Sequence, residues 1–198
     1  KYKKSDLSLK IKHTEFYRSL KIKNSKNKYL KNSSNYVFIV GMPRSGSTLL
    51  ENILSLNPEV TDMGEVNFLE ESIKEIKDIK CVYDLYEKKV INQFQSSIFY
   101  TDKSLFNYMY CAVISNFFPK AKIINCIRNP LDNILSIYRA NFLKQSFSFS
   151  LTDISSLYLH YFETMEEYKI KFGGNIYDYC YEDLIENPND VIPEIINW

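Results

Sequence analysis

Apolar positions along the chain form two alternating patterns. Short, continuous apolar runs, which are typical of buried parallel strands, occur at 36–40, 97–100, 121–127 and 176–181. Segments in which apolar residues recur at helical spacing lie at 49–56, 105–118, 130–138 and 153–171. Strands separated by helices of about ten or more residues imply parallel pairing through crossover connections. The pattern therefore predicts a three-layer α/β fold, with a central parallel sheet flanked by helices.

Both ends of the chain depart from this alternation. Residues 1–35 are polar and lysine-rich, with eleven basic and two acidic side chains, although the net charge of the whole chain is +1. We expect a weak helix over 7–20, a loop over 24–35, and a role for this segment as a basic linker or the end of an upstream helical region. Residues 36–198 form the predicted domain. Because an apolar pattern runs to the last residue, we expect this domain to be truncated at its C-terminus.

Composition argues against several classes of protein. A chain of 198 residues with 45% hydrophobic and 25% charged residues suits one soluble globular domain. Residues 36–198 carry net negative charge, which argues against a nucleic-acid-binding domain. No apolar run approaches the roughly 20 residues that a membrane helix needs. We therefore expect neither nucleic acid nor a membrane among the partners.

The four cysteines are widely spaced and form no CxxC pair, so they do not suggest a zinc site. Three of them lie within apolar stretches; the four are Cys81, Cys111, Cys126 and Cys180. We interpret them as buried free thiols of a protein in a reducing compartment, which predicts a cytoplasmic location.

The most informative segment follows the first apolar run and reads Gly41-Met42-Pro43-Arg44-Ser45-Gly46-Ser47-Thr48. A glycine loop between a strand and a helix directs backbone N–H groups at a phosphate, and the helix N-terminus adds partial positive charge. The spacing G-x-x-x-x-G is that of the nucleotide-binding P-loop, and Thr48 occupies the hydroxyl position. Ser47, however, replaces the lysine on which kinases and ATPases depend, and the cation lies earlier, at Arg44. A P-loop kinase or NTPase and a non-catalytic nucleotide-binding module remain alternatives.

The segment from Val40 to Leu50 resembles the 5'-phosphosulfate loop of sulfotransferases. It is most similar to the branch that contains protein-tyrosine sulfotransferases and the bacterial sulfotransferases that follow tetratricopeptide repeats. The resemblance covers about residues 36–198. It implies 3'-phosphoadenosine 5'-phosphosulfate as the donor, bound by Arg44, Ser45, Gly46, Ser47 and Thr48. It also implies no metal, a possible upstream helical-repeat domain, and a hydroxyl acceptor that could be a peptide tyrosine, a sugar or a small alcohol.

The resemblance also assigns a general base. In this branch a glutamate shortly after the first helix takes the proton of the acceptor hydroxyl, and Glu65 in Met63-Gly64-Glu65 matches that position. The protein-tyrosine enzymes tend to have a second carboxylate next to it, where this chain has Val66. Other branches use a histidine; we interpret His13 and His160 as solvated or structural.

Two further matches follow strands. Lys103, at the end of a buried strand, matches the lysine that stabilises leaving-group charge on the donor. Arg128 and Ser136 match the pair that binds the 3'-phosphate of the nucleotide, with Asn129-Pro130 as a helix start between them. On that helix we expect an apolar buried face, with Ser136 away from it; the face comprises Leu131, Ile134, Leu135 and Tyr138.

A last segment of the resemblance, from Tyr181 to Leu184, follows the final predicted strand, and we interpret it as largely structural. The final nucleotide-contacting loop of the family has no counterpart in this sequence.

Overall fold

The computed structural model describes residues 5–19, 34–143 and 145–198. Five strands in these ranges form one sheet: β1 (Asn35–Gly41), β2 (Val60–Asp62), β3 (Phe99–Asp102), β4 (Lys122–Ile127) and β5 (Ile176–Cys180). All paired strands run parallel, in the order β2-β3-β1-β4-β5. The predicted α/β class with a central parallel sheet is confirmed. The strand predicted at 97–100 lies two residues further along the chain.

Helices connect the strands and cover the sheet. In the described residues the α-helices are α1 (Ser5–Ser19), α2 (Ser47–Leu54), α3 (Phe68–Glu75), α4 (Val82–Gln93), α5 (Cys111–Phe117), α6 (Pro130–Ala140), α7 (Leu151–Phe172), α8 (Tyr181–Glu186) and α9 (Pro188–Asn197). Short 3₁₀ helices cover Ile79–Cys81, Leu105–Tyr110, Ser146–Phe149 and Gly173–Asn175. The helix predicted over 105–118 is thus a 3₁₀ turn followed by α5. None of the described helices is long and apolar enough to cross a bilayer.

The two faces of β1 point into two separate cores. Tyr36 and Phe38 belong to a large core that is shared with α4, α5 and α7, whereas Ile39 belongs to a smaller core with Leu50 and Ile195. Because successive side chains of a strand point to opposite faces, this division shows that helices cover both sides of the sheet. The three-layer arrangement follows.

The buried face of α6 differs from the expected one. Leu131 is 73% exposed, and Leu135 and Tyr138 are also exposed, whereas Asn133 and Ile137 are fully buried. On this inward face the Asn133 side chain donates a hydrogen bond to the Pro43 carbonyl, 2.9 Å away. Of the predicted apolar face, Ile134 packs against the large core, whereas the other three positions are exposed, so most of that prediction was wrong. Ser136 is half-buried on the side that faces the glycine loop.

The N-terminal helix α1 packs on the domain. Leu7 and Tyr17 contact the large core, and the Tyr17 and Tyr110 rings meet edge to face, with centroids 4.9 Å apart. Arg18 pairs with Glu167 of α7. Residues 20–33, which include most of the predicted loop, lie outside the described residues. The assignment of 1–35 as a linker or the end of an upstream region stays a prediction.

All four cysteines are unpaired. Cys111 and Cys126 are buried, and burial raises the pKa of both thiols. Cys81, in contrast to the expectation, is exposed.

Candidate active site

A cleft of about 1060 Å³ opens at the carboxyl end of the sheet. Each strand is followed by a segment that lines it, so that all five strands contribute. The lining residues that follow the strands in this way include Gly46, Glu65, Ser104, Arg128 and Tyr181. Ligands of parallel α/β folds bind at this end, where the strand order reverses, and here the reversal is at β1, because β2 and β3 lie on one side and β4 and β5 on the other.

The donor loop, residues 41–48, has a backbone that requires its glycines. A Cβ on Gly41 would lie 2.7 Å from the Cys126 carbonyl oxygen, which is closer than such atoms approach. Gly46 has φ +89°, and a Cβ there would lie 2.3 Å from the Tyr181 ring. Arg44 also has positive φ, at +67°, a conformation that is uncommon for a residue with a side chain. The backbone path of the donor loop therefore requires glycine at positions 41 and 46.

The start of α2 offers unused donors to the cleft. Gly46 occupies the N-cap position, where no side chain caps the helix. Backbone N–H groups of a first turn have no partner within the helix and can bind an anion. Ser47 and Thr48 both line the cleft. Ser45 differs, since its buried hydroxyl lies against Gly41 and has no hydrogen-bond partner among the residues that the structure describes.

Three arginines converge beside this loop. Arg44 Nε donates to Ser136 Oγ at 3.2 Å, and Arg128 Nη1 donates to the Arg44 carbonyl at 3.1 Å. A second cleft, of about 550 Å³, is lined by Arg44, Arg128 and Ser136 together with Arg139 and Asp132. Within the described residues, none of the three arginines forms an ion pair within 4.0 Å. The structure thus brings the predicted donor loop and the predicted Arg128–Ser136 pair together, and it adds Arg139.

Tyr181 belongs to this part of the cleft, although its segment was interpreted as structural. The ring packs on Gly46, and the Arg128 guanidinium lies 4.7 Å above its centre. The next residue, Glu182, accepts a hydrogen bond of 3.0 Å from the Asn129 backbone, and Asn129 caps α6 as predicted. A tyrosine at the end of a predicted parallel strand was the sequence signal that could have identified it.

The predicted base and the predicted lysine form an ion pair. Lys103 Nζ lies 3.0 Å from Glu65 Oε1 and 3.8 Å from Glu51 Oε2. Glu65 lines the cleft and its side chain is 71% exposed, whereas Lys103 is only 6% exposed and lies beneath it. Thr101 Oγ1 donates to Glu51 Oε1 at 2.9 Å. Sequence reasoning missed Glu51, because nothing in the spacing from the donor loop indicates that it meets the end of β3.

Asp102 fixes the course of the chain after β3. It is fully buried and accepts hydrogen bonds from the Tyr86 hydroxyl at 2.9 Å, the Ser104 backbone at 3.0 Å and the Asn107 amide at 3.1 Å. Burial raises the pKa of Asp102 to about 7, although these hydrogen bonds oppose the rise. The carboxyl group holds the segment that carries Lys103 and Ser104 at the cleft.

Residues of α1 also line the cleft. Lys10 lies over the Phe106 ring, 3.4 Å from its centre, and donates to Gln145 Oε1 at 3.4 Å. His13, which we interpreted as solvated or structural, lines the cleft. His160 is buried in α7, and burial lowers its pKa, in agreement with a structural residue. Among the described residues, no group of three histidine, cysteine or acidic side chains is placed to hold a metal ion.

The sequence of this chain matches a known protein family. A family model described as "Sulfotransferase family" matches residues 36–96 and 80–198. An uncharacterized protein of Aquifex aeolicus (strain VF5) is 30% identical over 189 residues, which cover 82% of this chain and 25% of that protein. The chain therefore spans about a quarter of the length of this curated relative.

Solved structures share the fold. A sulfotransferase domain from the curacin biosynthetic pathway aligns with a TM-score of 0.63 and 17% identity, over 84% of this chain and 74% of that one. A sulfotransferase domain of the Synechococcus PCC 7002 olefin synthase aligns with a TM-score of 0.60 and 20% identity, over 89% and 76%. A sulfotransferase of Alicyclobacillus acidocaldarius aligns with a TM-score of 0.56 and 19% identity, over 83% and 79%. At these identities the likeness concerns the fold.

Proposed function

This chain belongs to the sulfotransferase family, and from that premise we propose that it transfers a sulfuryl group from 3'-phosphoadenosine 5'-phosphosulfate to a hydroxyl acceptor. The observation that carries the proposal is the arginine cluster beside the uncapped start of α2. Arg44, Arg128 and Arg139 have no close ion pair in the described structure and line the same cleft as Ser136, whose hydroxyl accepts a hydrogen bond from Arg44. Two adjoining sites for anions suit a donor that carries phosphate at both its 5' and 3' positions.

Each anionic group of the donor has its own partners in this proposal. The backbone of the loop from Gly46 to Thr48 binds the 5'-phosphosulfate, because first-turn N–H groups and the helix dipole favour an anion. Arg128 and Ser136 bind the 3'-phosphate, since a guanidinium donates two parallel hydrogen bonds to a phosphate. The Tyr181 ring, packed on Gly46, bounds the donor end of the cleft.

The chemical step needs a base and a cation. Glu65 accepts the proton of the acceptor hydroxyl while the acceptor oxygen bonds to sulfur and the bond from sulfur to the bridging phosphate oxygen breaks. Lys103, Arg44 and Ser47 stabilise the negative charge on that departing oxygen. Lys103 must exchange part of its contact with Glu65, at 3.0 Å, for a contact with the donor. The proposal includes no metal, because these side chains and backbone N–H groups supply the positive charge.

The proposal also covers the acceptor, the cellular compartment and a partner domain. A peptide tyrosine, a sugar and a small alcohol all provide the hydroxyl that the step requires. The unpaired cysteines favour a reducing compartment such as the cytoplasm. An upstream helical-repeat domain remains a proposed partner.

Nucleotide binding tests the donor. We expect 3'-phosphoadenosine 5'-phosphate to bind in calorimetry without Mg²⁺, and ATP to bind weakly, because the loop lacks the kinase lysine. Tight, Mg²⁺-dependent ATP binding would identify a kinase or NTPase instead. Nucleotide binding without transfer of labelled sulfate to any member of an acceptor panel would identify a non-catalytic module.

Glu65→Gln tests the base. The amide keeps the shape of the side chain but cannot accept a proton, so we expect turnover to fall by about 10²–10⁴-fold with little change in donor affinity. Glu71→Gln, at an exposed carboxylate that pairs with Lys89 on the surface, is the control and should retain activity. Full activity of Glu65→Gln would place the base elsewhere.

A further inference from the structure

Two carboxylates share the Lys103 ammonium, and their surroundings differ. Glu65, which lies 3.0 Å away, has a side chain that is 71% exposed to the cleft. Glu51, 3.8 Å away, has a side chain that is 5% exposed, and it lies on the helix that begins at the donor loop. An exposed side chain can rotate away from its partner at little cost, whereas a buried one is held by its neighbours.

Glu51 joins three segments of the site. Its carboxylate accepts a hydrogen bond of 2.9 Å from Thr101, at the end of β3, and the Gly64 backbone, directly before Glu65, favours its charged form and so lowers its pKa. Burial raises the pKa of Glu51 above its usual value, and Thr101, Lys103 and Gly64 offset only part of this rise. A buried carboxylate of this kind persists only where its charge and its hydrogen bonds are matched.

The proposed chemical step removes one of the two counterions of Lys103. When Glu65 takes the acceptor proton, its carboxyl group becomes neutral, and its attraction to Lys103 is lost at the moment when the ammonium must face the departing oxygen. Leaving a buried ammonium without any counterion is costly. Glu51 does not take part in the proton transfer and keeps its contact.

We propose that Glu51 is a positioning residue that acts as the permanent counterion of Lys103 and thereby releases Glu65 to serve as the base. This inference rests on the proposed function. It divides the work of the two carboxylates, since Glu51 holds the cation in place and Glu65 moves the proton. Glu51 does not line the cleft, and in this proposal it acts on the reaction only through Lys103.

Glu51→Gln is the first test, because its carbonyl oxygen can still accept from Thr101. Lys103 then has Glu65 as its remaining close carboxylate, which holds the base in place. We expect kcat to fall by about tenfold or more, a fraction of what a positioned base contributes, with the dissociation constant of 3'-phosphoadenosine 5'-phosphate nearly unchanged. Thr101→Val, which removes the hydroxyl that orients Glu51, should act in the same direction with a smaller effect. Glu59→Gln, at an exposed carboxylate before β2, should change neither value.

A double-mutant cycle separates positioning from a general structural role. In a Lys103→Met background, Glu51→Gln should change kcat by less than about twofold, because the cation through which it acts is gone. In that background it should also raise the melting temperature, since it removes a buried carboxylate that has lost its counterion. This second readout does not depend on residual activity.

The outcomes distinguish the two claims. A wild-type chain that binds 3'-phosphoadenosine 5'-phosphate and transfers sulfate, with a Glu51→Gln variant of equal kcat, overturns the inference and leaves the proposed function standing. Equal losses of kcat or equal losses of stability in both backgrounds also overturn the inference, because Glu51 then acts independently of Lys103. A wild-type chain that neither binds this nucleotide nor transfers sulfate overturns the proposed function, and the inference with it.

Discussion

At the scale of single residues, Arg128 has a second role besides the proposed phosphate contact. Its guanidinium also supports the donor loop through the Arg44 carbonyl, 3.1 Å away. If Arg128 binds the 3'-phosphate, Arg128→Ala should weaken the binding of 3'-phosphoadenosine 5'-phosphate by about 1.5–3 kcal/mol, which is about one to two orders of magnitude in affinity. Adenosine 5'-phosphate, which lacks the 3'-phosphate, should bind nearly as before.

The matched variant is Ser136→Ala, which removes an uncharged hydrogen-bond donor. It should weaken 3'-phosphoadenosine 5'-phosphate selectively as well, but with a smaller loss of affinity. Both variants and the wild type are titrated with both nucleotides. Equal losses for the two nucleotides would mean that Arg128 supports the loop rather than the 3'-phosphate.

Asp102 makes stability depend on pH. Its folded-state pKa of about 7 lies above the unfolded value of about 3.9, so between these values the folded protein retains a proton that the unfolded chain has released. The contribution of Asp102 to the free energy of unfolding is therefore fully present below about pH 4 and decreases as the pH rises towards 7. Asp102→Asn, whose amide can donate to the Tyr86 oxygen and whose carbonyl can accept from Ser104, removes this dependence.

Urea unfolding at several pH values between 4 and 7.5 measures the effect. We expect the unfolding free energy of the variant, relative to the wild type, to increase with pH by up to about 1.4 kcal/mol per pH unit. A difference that is constant over this range would show that Asp102 is ionised in the folded protein throughout.

Residues in motifs with recognisable spacing could be predicted, and residues that only the tertiary fold brings to the site could not. Arg44, Arg128 and Ser136 belong to motifs with recognisable spacing, and they are in contact in the structure. Glu51 and Lys103 lie far apart in the sequence, and the pairing of β1 with β3 brings α2 to that strand end. Local sequence carries no signal for such a contact. The roles of the predicted residues stay predictions.

At the scale of elements, the donor loop depends on Gly46. An alanine there meets the Tyr181 ring at 2.3 Å and must adopt φ +89°. We expect Gly46→Ala to abolish measurable nucleotide binding, because the loop or the tyrosine must move. Gly64→Ala is the control, since φ there is also positive, at +65°, but in the described part of the chain no atom lies within 4 Å of the added carbon. It should cost only the conformational strain of about 1–2 kcal/mol, as measured by thermal unfolding. Tight binding by Gly46→Ala would show that the loop tolerates another backbone.

Periodicity identified four of the five described strands, including β5 at one edge of the sheet, and missed β2 at the other edge. The strands β1 and β4 are continuous apolar runs and were predicted closely, as were α6 and α7. The three residues of β2 are too few to form a pattern. The buried face of α4 includes Tyr83 and Tyr86 among charged neighbours, so its apolar periodicity is weak. The 3₁₀ turn at Leu105–Tyr110 follows from the hydrogen bonds of Asp102, which local spacing does not reveal.

At the scale of the whole molecule, α1 connects the N-terminal segment to the core. Tyr17 packs edge-on against Tyr110, and aromatic contacts of this kind add about 0.5–1.5 kcal/mol to the burial of area. We expect Tyr17→Ala to lower the unfolding free energy by about 1–3 kcal/mol. Phe16→Ala, at the neighbouring ring that is 59% exposed, should have a clearly smaller effect. Equal melting temperatures for Tyr17→Ala and the wild type would show that α1 does not stabilise the domain.

The strand order also determines when the strands can pair during synthesis on the ribosome. β1 lies at the centre of the sheet, between β3 and β4, so this apolar strand leaves the ribosome well before either of its lateral partners. Its register opposite Lys122 can form only after residue 122 has been added, and such non-local parallel pairing is slow. Until then the strand is an unprotected template for pairing with other chains. The yield of folded protein should therefore depend on translation rate and on the supply of chaperones that shield extended apolar segments.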